Sequence, residues 1–329
     1  SQTSDLKAPL MQSVAPLWLW LTFGAIVVVS LFIDFVVLRK QGAHEMGVKE
    51  ALNWSLVWVA LSFLFNALLW WAVKDSTGST ELAHTRSLEF LTGYLIEKSL
   101  AVDNIFIFLM IFTYFAVPAQ FQKRVLMIGI VGAIVLRTVM ILVGGWLLSQ
   151  FHWILYVFGA FLLLTGIKMW WAAGQEPSLD DNPALKLLRR LLPVSRHYDG
   201  ERFWTLENGQ KIATPLFMVI CLIALTDVIF AVDSIPAIFA ITSDPFIVLT
   251  SNVFAILGLR AMYFLLAAVA GKFHLLNYGL AVILMFIGAK MCLIDVYKVP
   301  VLVSLGVVAG ILALTMVLSL RTAARQPSA

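Results

Sequence analysis

Long apolar stretches, separated by short polar ones, occupy nearly the whole of this chain. A run of 18 or more residues with few charges is long enough to cross a bilayer as a helix. Nine such runs lie near 17–38, 52–73, 89–116, 125–149, 153–173, 214–241, 246–270, 275–296 and 300–320. The pattern predicts an all-α polytopic membrane protein of about nine transmembrane helices, one membrane domain over 1–329. The polar tail 1–12 has neither a basic n-region nor an obvious cleavage site, so it does not read as a signal peptide. One interruption is long, 174–213. Inside it, 183–192 combines leucines with basic residues, as a short interfacial helix does. Residues 203–212 predict a β-hairpin, because Asn208-Gly209 supplies the positive φ angles of a type I′ turn. The plainest role for this loop is a tether between two halves; regulation is the alternative.

Composition agrees with the pattern. Hydrophobic residues make up 61% and charged residues 13%, against about 25% charged in a soluble domain. The net charge of +4 does not point to nucleic acid, because the basic residues sit in short loops between apolar runs. There they orient the chain instead. Fifteen Lys and Arg fall on one set of loops and flanks, four on the opposite set and four within the runs. The positive-inside rule then predicts an N-terminus outside and a C-terminus in the cytoplasm. Cys221 and Cys292 lie in separate apolar runs, so neither a disulfide framework nor a CxxC knuckle is available.

The chemistry lies in what interrupts the apolar runs. Glu97-Lys-Ser-Leu-Ala-Val-Asp103-Asn104-Ile and Asp227-Val-Ile-Phe-Ala-Val-Asp233-Ser234-Ile share one pattern. Each has a carboxylate, three residues, Ala-Val-Asp, a small polar residue and Ile. A charge at bilayer depth costs about 2.5–3.5 kcal/mol on insertion scales, and four would cost roughly 10–14. A bound cation is the simplest compensation. The similarity continues downstream, with Ala133-Ile-Val-Leu-Arg137 against Ala255-Ile-Leu-Gly-Leu-Arg260. It then runs to Tyr156 with Gly166-Ile-Lys168-Met169 against Tyr278 with Gly288-Ala-Lys290-Met291. Residues 89–173 and 214–296 therefore read as two copies of a three-helix unit, with 17–73 and 300–320 added around them. Three is odd, so the copies are inverted, as in secondary transporters with a polar site near the midplane.

Residues six apart on an ideal helix lie 240° apart, so Glu97 and Asp103, or Asp227 and Asp233, do not share a face. Either each helix serves two neighbours or it is interrupted, and Pro236 could kink the second. Asp103 and Asp233 become the natural central pair, with Asn104, Ser234 and Thr226 as neutral oxygen donors. Oxygen ligands suit Mg, Ca or Mn. The five histidines fall in loops or at run ends, which disfavours zinc. The alternative makes these carboxylates structural, paired with Lys98, Arg137 and Arg260. Four acids against three bases leave one negative charge over, which leans towards a cation or a shared proton. Arg137 and Arg260 read as structural partners, and Lys168 and Lys290 as snorkelling side chains. Asp34 and Asp295, near run ends, rank low as functional residues. No Walker A motif is present and no nucleophile–base pair stands out, so the chain does not read as an enzyme.

The acidic motifs, with Ser234-Ile-Pro-Ala-Ile and Thr250-Ser-Asn-Val-Phe-Ala-Ile-Leu-Gly-Leu-Arg-Ala-Met-Tyr-Phe, resemble the TerC family of integral membrane proteins, named for tellurium resistance. The likeness is nearest to its Alx branch and extends from about Trp18 to Leu320. It implies a bacterial inner-membrane exporter of Mn²⁺, with Glu97, Asp103, Asp227 and Asp233 as metal-binding residues and no prosthetic group. The residues alone give only a hard divalent cation and the lipid bilayer as partners. Two other readings stay open: a membrane partner that loads metal into secreted proteins, and an exporter of another small solute.

Overall fold

Small polar residues, proline and glycine set the helix ends. Ser79 caps one helix by accepting from the Leu82 amide at 3.1 Å. Asp244 caps another by accepting from the Phe246 amide at 2.9 Å, with Pro245 in the first turn, where no amide hydrogen is needed. Gly78 closes a third at φ +70°, its amide donating to the Lys74 carbonyl.

The computed structural model describes residues 13–41, 47–151, 153–173, 183–195, 197–207, 209–267, 275–297 and 299–325. A few helical side chains, those of Asp103 and Asp233 among them, lie outside the described set. The order is α1 (Leu17–Gln41), α2 (Val48–Thr77), α3 (Thr80–Tyr114), α4 (Ala119–Gln150), α5 (Ile154–Ala172), α6 (Pro183–Leu191), β1 (Trp204–Glu207) and β2 (Gln210–Ala213). Then come α7 (Pro215–Phe239), α8 (Pro245–Ile256), α9 (Leu259–Ala267), α10 (Leu276–Cys292) and α11 (Val301–Arg325). Apart from one hairpin, the described chain is helical.

Each of the nine apolar stretches holds a helix over most of its described residues, and 246–270 holds two. By length and apolarity alone, however, six helices among the described residues qualify to cross a membrane: α1, α2, α4, α5, α7 and α11. The pair α8 and α9, bent by 44°, makes a seventh if it is one span. The nine-span expectation thus exceeds what these measures give, for two separate reasons. Helix α3 has 35 residues but carries Arg86, Glu89, Glu97, Lys98 and Asp103. Helix α10 has only 17 residues, about 25 Å at the usual helical rise.

Of the two alternatives for the acidic helices, the structure shows the uninterrupted one. Both α3 and α7 run unbroken past their carboxylates, α7 through Pro236. The break comes at Leu257–Gly258, where Gly258 adopts φ +80°. The predicted hairpin is present, with Trp204 paired to Ala213 and Glu207 to Gln210. Gly209 has the positive φ the turn requires, and Asn208 lies outside the described residues.

Helix α3 is the centre of the packing, lying against α2, α7, α8 and α11, while α4 lies along α7 and α5 along α10. A buried aromatic group of Phe23, Phe65, Phe90, Phe246 and Phe254 joins the first two helices to α3 and α8. The outer faces of α1, α5 and α11 expose Leu21, Phe32, Leu164, Trp171, Leu302 and Leu314. Such faces are expected where lipid, not water, is the solvent.

Candidate functional site

The acidic helices α3 and α7 lie against each other, and α4 runs along α7. This brings Glu97, Arg137 and Asp227, one residue from each helix, into a single buried cluster. Arg137 Nη2 donates to Asp227 Oδ1 at 2.9 Å and its Nε to Oδ2 at 3.4 Å. Its remaining terminal nitrogen, Nη1, is paired with Glu97 Oε1. Glu97 is 0% exposed, Arg137 2% and Asp227 6%. A planar guanidinium with a fixed fork of donors suits two carboxylates at once, which a lysine ammonium does not. The cluster still carries one negative charge more than positive.

Neutral oxygens without hydrogen-bond partners accompany it on the same helices. Asn104 Oδ1 on α3 and Ser234 Oγ on α7 are buried and find no partner among the described residues. The Thr226 hydroxyl directs its hydrogen to the Leu222 and Ile223 carbonyls, at 2.8 and 2.9 Å. Oxygens of this kind, with carboxylates, form the donor set that hard cations take. Asp103 and Asp233 stand on the same two helices, six residues beyond Glu97 and Asp227, with side chains outside the described set. Among the described residues, no three His, Cys, Asp or Glu side chains gather closely enough to hold a metal. The described part of the cluster supplies two carboxylates and an arginine.

The other two cations named from sequence do different work. Arg260 on α9 donates through Nε to Asp34 Oδ1 at 3.1 Å and is 2% exposed. Its partner is thus α1, not an acidic motif. Lys98, next to Glu97, donates to the Ala255 and Leu257 carbonyls at 3.1 and 3.4 Å. Lys168, read as snorkelling, stands near the end of α5, while Lys290 donates to the Ser304 hydroxyl at 3.0 Å and is tied to α11.

Two residues carry more weight here than sequence reading gives them. Asp34 is buried and is the partner of Arg260, although it looked like a residue near a run end. Asn252 on α8 is 0% exposed, and among the described residues neither end of its amide has a partner. The available signal for it was Thr250-Ser251-Asn252, three polar residues in an apolar run.

Six or seven membrane-crossing helices around a buried carboxylate–guanidinium cluster define a multi-pass integral membrane protein. The chain belongs to the integral membrane protein TerC family, whose family profile matches residues 82–327. It is 57% identical over 309 residues to proteins of Shigella flexneri and Escherichia coli (strain K12) named "Putative membrane-bound redox modulator Alx". Those alignments cover 94% of this chain and 96% of each relative. It is also 46% identical over 316 residues to the "Uncharacterized membrane protein STKORF319" of Myxococcus xanthus, covering 96% of both. No solved structure matches.

Proposed function

We propose that this chain is a secondary transporter exporting Mn²⁺, or a similar hard divalent cation, from cytoplasm to periplasm. Glu97, Asp103, Asp227 and Asp233 would bind the ion, and rocking between the two three-helix units would give alternating access. One observation carries the reading: the leading carboxylates of both acidic motifs, Glu97 and Asp227, are buried together around a single arginine. Among the described residues, Arg260 is taken up by Asp34 and Lys98 by backbone carbonyls, which leaves Glu97 and Asp227 to share Arg137. Two carboxylates against one guanidinium at membrane depth leave a negative charge that calls for a cation or a proton. A carboxylate site can exchange one for the other, which makes proton exchange the natural coupling. The membrane potential opposes export of a divalent cation, so some coupling is required.

Support for inverted copies comes from contacts that recur with a constant offset. A Cβ on Gly166 would meet Ala281 and Met285; one on Gly288 would meet Gly159 and Leu163, each 122 positions earlier. Tyr278 donates to the Ala173 carbonyl, and Tyr156 to Asp295, whose counterpart is residue 173 by the same offset. This reciprocity is what a pseudo-twofold axis through the α5–α10 crossing would produce. With α3, α10 and the bent α8–α9 pair each counted as one span the total is nine, and the positive-inside rule favours an N-terminus in the periplasm.

Manganese itself rests on the family resemblance; the geometry supports a hard cation. The relatives' name speaks of redox modulation. Cys221 and Cys292 are unpaired and stand on different helices, which favours an indirect effect through a redox-active metal over dithiol chemistry. The test is Mn²⁺ flux into proteoliposomes holding the purified protein, beside Asp103→Asn and Asp233→Asn. Flux in the wild type and none in either variant is expected. Folded wild-type protein that moves no Mn²⁺ under any pH gradient would overturn transport, in favour of a metal-loading partner or an exporter of another solute.

A further inference from the structure

The two copies of the three-helix unit differ by one inserted residue at a telling place. The first reads Ala133-Ile-Val-Leu-Arg137; the second reads Ala255-Ile-Leu-Gly258-Leu-Arg260 and is one longer. Over the first, α4 runs on as a continuous helix from Ala119 to Gln150. Over the second, α8 ends at Ile256, Gly258 turns at φ +80°, and α9 departs at 44°. Glycine is required there. A side chain is strained at that φ, and a Cβ would lie 2.4 Å from the Trp58 ring.

An opened helix leaves carbonyls without their i→i+4 amides, and these must find other donors. Here the donor is Lys98, whose Nζ lies 3.1 Å from the Ala255 oxygen and 3.4 Å from that of Leu257. The ammonium also stands 5.9 Å from the centre of the Tyr94 ring. The matching contact in the other half lacks both features. The residue after Asp227 is Val228, and the helix it corresponds to is unbroken. Lysine and broken helix therefore occur as a pair. Simple snorkelling does not describe this lysine, since it sits mid-helix with its ammonium on interior carbonyls. The cavity of about 230 Å³ beside it is lined chiefly by Leu95, Leu266, Leu276 and Leu312, which offer it nothing polar.

Backbone carbonyls at a broken membrane helix, with an aromatic face, are the ligands an alkali cation takes. We propose that the α8–α9 break is a monovalent-cation site which Lys98 fills with a tethered ammonium. The cation at the break then cannot dissociate, and the break needs no dissolved ion. Removing the ammonium converts the position into a site for Na⁺ or K⁺. This does not rest on the transport reading, and its test reads stability, so either can fail without the other.

The experiment is thermal denaturation of the purified full-length protein in NaCl, KCl or N-methyl-D-glucamine chloride at equal ionic strength. Wild-type protein is expected to show one Tm in all three. Lys98→Ala should match the others only in an alkali salt, with Tm falling by about 5 °C in N-methyl-D-glucamine and recovering saturably as Na⁺ or K⁺ is titrated in. Which of the two ions saturates at lower concentration identifies the size the site prefers. A Lys98→Ala protein indifferent to the cation overturns the proposal. If Lys98→Ala aggregates in every salt, Lys98→Met, which retains the apolar stem, replaces it. Aggregation of Lys98→Met in NaCl and KCl as well as in N-methyl-D-glucamine also overturns it, because a filled site would have held the fold.

Discussion

Arg137 ties three helices together through two carboxylates, and its energetics follow from burial. Removing one member of a buried ion cluster leaves uncompensated charge, which costs about 3–5 kcal/mol, whereas replacing the whole cluster with neutral groups is often close to neutral. Arg137→Met should therefore lower unfolding stability by roughly that amount. The triple variant Arg137→Met, Glu97→Gln, Asp227→Asn should recover most of it, as denaturation of the purified proteins in detergent would show. Equal losses in both would mean that packing of the arginine stem, not charge, is what counts. The acids and Arg137 were legible as residue types in an apolar background. The division of labour among the three cations was not, because pairing depends on which helices neighbour which. Arg260 meets α1, 226 positions away in sequence, a contact no local pattern announces.

At the level of elements, the crossing of α5 and α10 depends on residues without side chains. A Cβ on Gly288 would lie 2.6 Å from the Leu163 amide nitrogen and 2.7 Å from the Gly159 carbonyl oxygen, both backbone atoms that cannot move aside. Gly288→Ala should therefore force the helices apart and cost about 1–3 kcal/mol. Gly306 on α11 has nothing within 4 Å, so Gly306→Ala should stabilise the helix slightly, by up to about 1 kcal/mol. Thermal unfolding of the two variants checks the contrast. The helices themselves were readable from apolar length, and the hairpin from Asn-Gly. Their ends and breaks were harder to place. Helix α3 begins nine residues before the apolar run that marked it, because the polar turn carrying Arg86 and Glu89 satisfies its own charges through a 2.7 Å ion pair. The break in 246–270 hangs on one glycine among apolar residues.

For the whole molecule, the long loop is more than a tether. Its described part docks on the end of α3 and the start of α7. Tyr198 donates to the Phe115 carbonyl at 2.7 Å, Arg189 to the Tyr114 hydroxyl at 2.6 Å, and Trp204 packs on Phe217. It thereby links the α3–α4 turn to the start of α7. Burial pushes the Tyr198 hydroxyl from its ordinary 10 up to about 12. In the unfolded chain it ionises near 10, so its contribution is intact below that pH and is lost as pH rises from 10 to about 12. The stability difference between wild type and Tyr198→Phe should accordingly be constant up to pH 10 and shrink above it. A difference that stays flat to pH 12 would show that the hydroxyl is not sequestered by the docked loop.

Apolar run length and the charged residues that interrupt the runs were enough to give an all-helical membrane protein with charge in its interior. Those features are local: a helix in lipid must satisfy its own backbone, so length and hydropathy suffice to reveal it. Which cation neutralises which acid, where the helix breaks, and how the loop docks were decided only in three dimensions. Each depends on atoms brought together from distant stretches of the sequence, 75 positions apart for Tyr114 and Arg189 and 226 for Asp34 and Arg260. A buried charge accepts whatever partner the packing delivers.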